Sequence, residues 1–173
     1  RNLDASIHHL TQAAYQGHVQ AQLSLAQAYE QGTYVVRNFE QAVKWYRLAA
    51  NNNQAQAQYF LGFLYKVGAY YKKNDRLAEE WLKKAALQHD LDAQKSLADL
   101  FLKADKVKAK VRQAIYWLTL AAKEGDVDAQ YRLYQVFKNN KLAPQDKSMA
   151  NAWLKTAAEN GKAAAQYELA MSL

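Results

Sequence analysis

The reactive side chains of this 173-residue chain are of types that catalysts use, but their spacing is not that of a catalyst. There is no cysteine, which removes thiolate nucleophiles, thiolate metal ligands and disulfides together and leaves the redox compartment open. Of the four histidines, His8 and His9 are sequential and on a helix point in different directions, His18 stands where a helix begins, and His89 stands where one ends. Each reads as a solvated or locally bonded ring, not a ligand. Glu79 and Glu80 are also sequential and cannot address one substrate from a helix. No glycine-rich phosphate loop, zinc spacing or Gly-x-Ser-x-Gly elbow is present. The expectation is a protein that is not an enzyme and has no catalytic residue, metal or cofactor.

What remains is the chemistry of recognition. Lysine and arginine number 23 against 16 acidic residues, for a net charge of +7. That balance favours an acidic partner or an anionic surface, and it also keeps a helical protein in solution. The aromatic residues that could supply apolar contact are not scattered. Trp45, Trp81, Trp117 and Trp153 each follow the last by 36 residues. The same step links Ala21, Ala57, Ala93, Ala129 and Ala165, each followed by a glutamine, from Gln22 to Gln166. It also links Leu25, Leu61, Leu97, Leu133 and Leu169, and the alanine pairs that end at Ala14, Ala50, Ala86, Ala122 and Ala158. Self-similarity at a fixed period of this length is the signature of a helical or other repeat array.

The elements that carry these residues are helices. The chain holds one proline and six glycines and is rich in alanine, leucine, glutamine and lysine. Ala21, Leu25 and Tyr29 share one helical face, and Ala42, Trp45, Tyr46, Ala49 and Ala50 form a second stripe at i, i+3, i+4, i+7. The spacing predicts helix A over 19–31 and helix B over 39–52, repeated every 36 residues. Gly17, Asn53, His89, Gly125 and Gly161 mark the ends of the B helices, and Gly32 and Gly68 the ends of two A helices. Ala104 and Asn140 replace those glycines later, so the turns there are expected to differ. Small residues at Ala26, Gly62 and Ala98 allow close helix crossings, and each tryptophan can bury roughly 150 to 250 Å². A lone helical hairpin cannot cover its apolar face, so the units must stack into a right-handed superhelix with a concave side. The expected fold is an all-α solenoid: 1–17 a leading helix B, four full repeats over 18–53, 54–89, 90–125 and 126–161, and 162–173 opening a fifth. With no polar cap at either end, the stretch is expected to be part of a longer array or to pair through its ends. No run approaches the roughly 18 apolar residues of a membrane span, and the first residues lack the pattern of a signal peptide.

The run Ala-Gln-Tyr-Phe-Leu-Gly-Phe-Leu-Tyr over 57–65 and Glu-Trp-Leu-Lys-Lys-Ala-Ala over 80–86 resembles a Sel1-like repeat, a relative of the tetratricopeptide repeat, and the pattern covers essentially the whole chain. The 34-residue period, early tryptophan and closing proline of tetratricopeptide repeats are absent. Tyr134, where a small residue is usual, and the lysine-rich stretch after Ala104 depart from the pattern. The resemblance implies an adaptor or scaffold that binds another protein, commonly in a bacterial cell-envelope or host-interaction assembly, and a periplasmic or secreted setting ahead of a cytoplasmic one.

If the A helices line the concave face, their variable positions are the candidate contacts. One row is Leu23, Tyr59, Lys95, Tyr131 and Tyr167; the other is Gln27, Phe63, Asp99, Gln135 and Met171; Lys66 lies beside them. Tyr59, Phe63 and Tyr131 lead, because rings supply contact area at low entropic cost. A second candidate is a basic edge in the A–B loops, made of Lys72, Lys73 and Arg76 and then Lys103, Lys106, Lys108, Lys110 and Arg112, continued by Lys141 and Lys147. Such an edge would steer an acidic protein and suits an inhibitor or immunity protein that occludes an acidic effector. A helical-repeat nucleic-acid binder is the third reading. It is disfavoured because the lysines fall in edge loops while Asp92, Asp99 and Asp128 fall on or near helix A.

Overall fold

A computed structural model describes residues 3–103 and 107–172. The described chain is all-helical and divides into two compact units, residues 1–90 and 91–173. The first holds α1 (Leu3–Tyr15), α2 (Val19–Gln31), α3 (Phe39–Asn51), α4 (Ala55–Val67) and α5 (Asp75–Ala86). The second holds α6 (Leu91–Lys103), α7 (Lys108–Lys123), α8 (Val127–Asn139), α9 (Lys147–Glu159) and α10 (Ala163–Ser172). The even-numbered helices are the A helices of the repeat and the odd-numbered ones the B helices.

Local chemistry sets these boundaries. The backbone N–H of Gln41, Leu77 and Met149 donates to the side-chain oxygen of Asn38, Asn74 and Asp146 at 2.9–3.0 Å, and these caps start α3, α5 and α9. In the third repeat the residue at that place is Lys110, which cannot accept. The helix runs back one turn and opens at Lys108 behind Val107, which makes no side-chain cap. The stops are as expected: Gly17, Asn53, His89, Gly125 and Gly161 all have φ between 65° and 93°, in the left-handed region. Asn140 is extended at φ −87°, so the α8–α9 turn does differ from the glycine-ended ones.

Within the first unit the core gathers Leu25, Ala26, Trp45, Tyr46, Ala49, Ala50, Ala57 and Leu61, with Trp81 packed partly buried against it. Within the second, Leu97, Ala98, Phe101, Val111, Trp117, Leu118, Leu133 and Leu154 are buried. Removing this apolar surface from water is the main favourable term in both.

A polar bracket repeats inside this apolar setting. The Nε2 of Gln22, Gln58, Gln130 and Gln166 donates to the carbonyl oxygen of Ala14, Ala50, Ala122 and Ala158, eight residues earlier, at 3.0–3.2 Å. Each bond ties an A helix to the last turn of the B helix before it. The Oε1 of Gln22, Gln58 and Gln130 accepts from Asn52, Gln88 and Asn160 at 2.8–3.0 Å, which ties the same A helix to the B helix that follows. In the third repeat the corresponding place is Glu124, whose carboxylate has no hydrogen to give, and among the described residues the buried Oε1 of Gln94 meets no donor, although other atoms of Gln94 have partners.

Candidate binding faces on the A helices

In the first unit, Tyr59, Phe63 and Val67 recur every fourth residue and so share one face of α4. Phe63 is 40% exposed, Val67 is exposed, and the Tyr59 and Phe63 rings lie 6.3 Å apart between centroids. Lys66 stands half-buried in the last turn of the same helix. The earlier member of the row, Leu23, is buried and belongs to the core. This face offers aromatic surface with a cation beside it.

The second unit is different in kind. Its A-helix positions are joined by ion pairs: Lys95 Nζ lies 2.8 Å from Asp126 and 3.6 Å from Asp92, and Arg132 Nη1 lies 2.7 Å from Asp99. Arg132 Nε also lies 3.2 Å from Asp128, which Lys162 Nζ meets at 2.8 Å. Burial opposes the charge on Lys95, yet its bond to Asp126 and the aspartates around it hold its pKa above the usual lysine value. The hydrogen bond from Lys162, reinforced by Arg132, holds the Asp128 carboxyl below its usual value. Tyr131 and Tyr134 both donate to Glu168 of α10, and Lys138 Nζ lies 2.9 Å from the same carboxylate. Those three donors, Tyr134 first, bring the pKa of Glu168 down to about 2. Lys95 and Asp99, candidate groove contacts by sequence, thus also link α6 to the start and the body of α8. Tyr131 is likewise turned to Glu168.

Between α6 and α8 an open cleft of about 470 Å³ is lined by Asp99, Leu102, Arg132, Gln135, Val136, Asn139 and Asn140. It brings Asp99 and Gln135 together, as the row of variable positions anticipates, and adds Arg132, Leu102 and Asn139. Sequence reading misses Arg132, whose signal is its place four residues after Asp128 on a charged helix face. Gln135 and Asn139, one turn apart and both exposed, present carboxamides that donate and accept at once. Tyr167 on α10 is 68% exposed.

The basic edge is less uniform than expected. Lys72 and Lys73 are exposed in the α4–α5 loop. Arg76 lies inside α5 and pairs with Glu80 at 2.5 Å. Lys103 ends α6, while Lys108 and Lys110 stand on α7 and not in a loop, since that helix starts early, and Arg112 follows them on it. Lys110 lies over the Phe101 ring at 4.6 Å. Lys106 lies outside the described residues.

His8 and His9 are both exposed, with ring centroids 5.7 Å apart. Among the described residues no three His, Cys, Asp or Glu side chains are grouped to hold a metal ion. No helix among them is long and apolar enough to cross a membrane.

Comparison with known proteins places this geometry. The profile of the Sel1 repeat matches residues 1–18, 19–54, 55–90, 91–126 and 135–162. The stretch between the fourth and fifth matches contains Tyr134, the bulky residue at a small-residue place. The crystal structure of c5321, a protective antigen present in uropathogenic Escherichia coli strains and displaying an SLR fold, superposes with a TM-score of 0.85 at 31% identity over 94% of this chain. A Sel1 repeat protein from Oxalobacter formigenes superposes at 0.80 with 33% identity over 91%. The chain spans 35% of the first protein and 65% of the second. The immunity protein Pa5087 from Pseudomonas aeruginosa, at 19% identity and a TM-score of 0.55, shares the fold alone. No curated protein sequence matches the chain.

Proposed function

Since this chain belongs to the Sel1 repeat family, whose repeats generally serve protein interaction, we propose that it is a non-catalytic scaffold that holds a partner polypeptide on its A-helix faces. The observation that carries this reading is the face of α4 on which Phe63 and Val67 are exposed beside the half-buried ring of Tyr59, on a helix whose opposite side is core. Aromatic surface beside a fixed core is the usual making of a binding hot spot. In the second unit the cleft of Arg132, Gln135 and Asn139 supports the same role through hydrogen bonds to peptide groups. An exported setting, periplasmic or secreted, belongs to this proposal through the likeness to the uropathogenic antigen.

The test is affinity capture by the chain, run beside a Tyr59→Ala, Phe63→Ala variant and a Gln135→Ala, Asn139→Ala variant, each checked for unchanged helicity. A protein retained by the parent and lost from either variant supports the proposal and names the face. Retention that survives both, and falls steeply with added salt, points instead to the basic residues and an inhibitor of an acidic effector. Retention of nucleic acid alone overturns the proposal.

A further inference from the structure

A second cleft, of about 440 Å³, lies in the first unit away from the A-helix faces, between α3 and the α4–α5 loop. Its lining combines Val43, Leu48, Tyr70 and Tyr71 with Glu40, Lys44 and Arg47. The aromatic wall is held in place. Tyr71 stacks on Tyr65 with centroids 4.4 Å apart, and its hydroxyl accepts a 2.6 Å bond from Arg47. Tyr70 stands edge-on to Tyr71 at 4.9 Å and lies 5.9 Å from Phe39. Such a wall loses little freedom when something docks on it. Lys44 and Arg47 are three apart and thus share one face of α3, and Arg47 keeps further N–H donors beyond the one that meets Tyr71. Leu48 is 38% exposed and Tyr70 44%, an apolar pair that the core does not use.

This chemistry belongs to one repeat only. Thirty-six residues on, the places of Val43, Lys44 and Leu48 are taken by Glu79, Glu80 and Lys84. Independently of the A-helix reading, we infer that the cleft docks a segment of a partner polypeptide that carries an acidic side chain next to an aliphatic one. The carboxylate meets Lys44 and Arg47, and the aliphatic group enters between Leu48 and Tyr70. Charge complementarity selects the acidic class: two cations face one carboxylate, Glu40, and a charged bond to an arginine fork is worth more than a neutral one. Glu40 itself works against the ligand.

The test is an NMR titration of the whole chain with acetyl-Gly-Leu-Glu-Gly-amide and with its Leu-Gln and Ala-Glu counterparts. Saturable shifts of the Leu48 methyls, the Tyr70 ring and Arg47 Nε are expected with the Leu-Glu peptide, at least about fivefold weaker with either counterpart. Lys44→Gln and Arg47→Gln should each weaken binding by a similar factor, and Glu40→Gln should tighten it. All three sites are exposed, so helicity should not change. The Tyr59→Ala, Phe63→Ala variant should titrate like the parent, which separates this site from the α4 face. No saturable shift, an equal response to the Leu-Gln peptide, or shifts confined to residues outside the cleft would overturn the inference.

Discussion

Gly62 and Leu82 are in such close register across α4 and α5 that a Cβ on Gly62 would stand 2.7 Å from Leu82 Cγ and 3.0 Å from its backbone nitrogen. The equivalent positions in the first and third repeats are alanines, Ala26 and Ala98, both fully buried. The α4–α5 crossing is therefore tighter than an alanine permits unless the fully buried Leu82 shifts. Gly62→Ala should destabilise the fold by about 1–3 kcal/mol, although alanine in place of a helical glycine ordinarily stabilises. A melting curve decides it: a raised midpoint would show that the crossing relaxes.

The glutamine bracket makes a second prediction. Gln58 is 2% exposed, donates to Ala50 and Asn53 and accepts from Gln88. Gln58→Leu keeps the bulk and removes all three bonds, leaving a buried lone pair of Ala50 without its side-chain donor. The expected cost is about 1–3 kcal/mol. Urea denaturation with an unchanged slope and a lower midpoint is the result that fits.

Glu168 gives a pH dependence whose sign follows from its shift. Its pKa falls from the ordinary 4.5 to about 2 on folding. The stabilisation is therefore fully present above the ordinary carboxyl value and fades as the pH drops from there towards 2. Since the donors Tyr131, Tyr134 and Lys138 all sit on α8, the loss should appear first as faster amide exchange in α10. Glu168→Gln should show that faster exchange already at neutral pH and little further change on mild acidification.

Tyr34 has a left-handed backbone, φ 65°, and a side chain that is 66% exposed. A tyrosine there is strained in a way that a glycine is not. Tyr34→Gly should stabilise the chain by roughly 0.5–1 kcal/mol, part of the relief being offset by the greater freedom of the unfolded glycine. A fall in the melting temperature would mean that the ring makes a stabilising contact worth more than the strain.

The period and the helix types are legible in the sequence because each repeat writes the same core twice over, in small residues and in tryptophans. The left-handed stops are legible because few residue types accept that conformation. The start of α7 is not, since it depends on a cap that Lys110 cannot make and on the next place upstream where a helix can open. The roles of Lys95, Asp99 and Tyr131 escape sequence reading for a related reason. Their partners Asp126, Arg132 and Glu168 lie 31 to 37 residues away, and only the packing of one A helix on the next reveals that they meet. The cleft of Lys44, Arg47 and Tyr70 is hidden likewise, since its two walls come from different repeats.

The eight-residue reach from Gln22, Gln58, Gln130 and Gln166 back to an alanine carbonyl fixes how such a chain can change length. If residues 55–90 were excised, Gln94 would stand eight places after Ala50, where Gln58 stood, and the bracket would close again. A cut one residue longer or shorter would set the amide against a different carbonyl and turn every later apolar stripe about the helix axis. Growth and loss by whole 36-residue steps is thus the route that keeps each joint intact, so the array can be lengthened to fit a partner without redesign of any single joint.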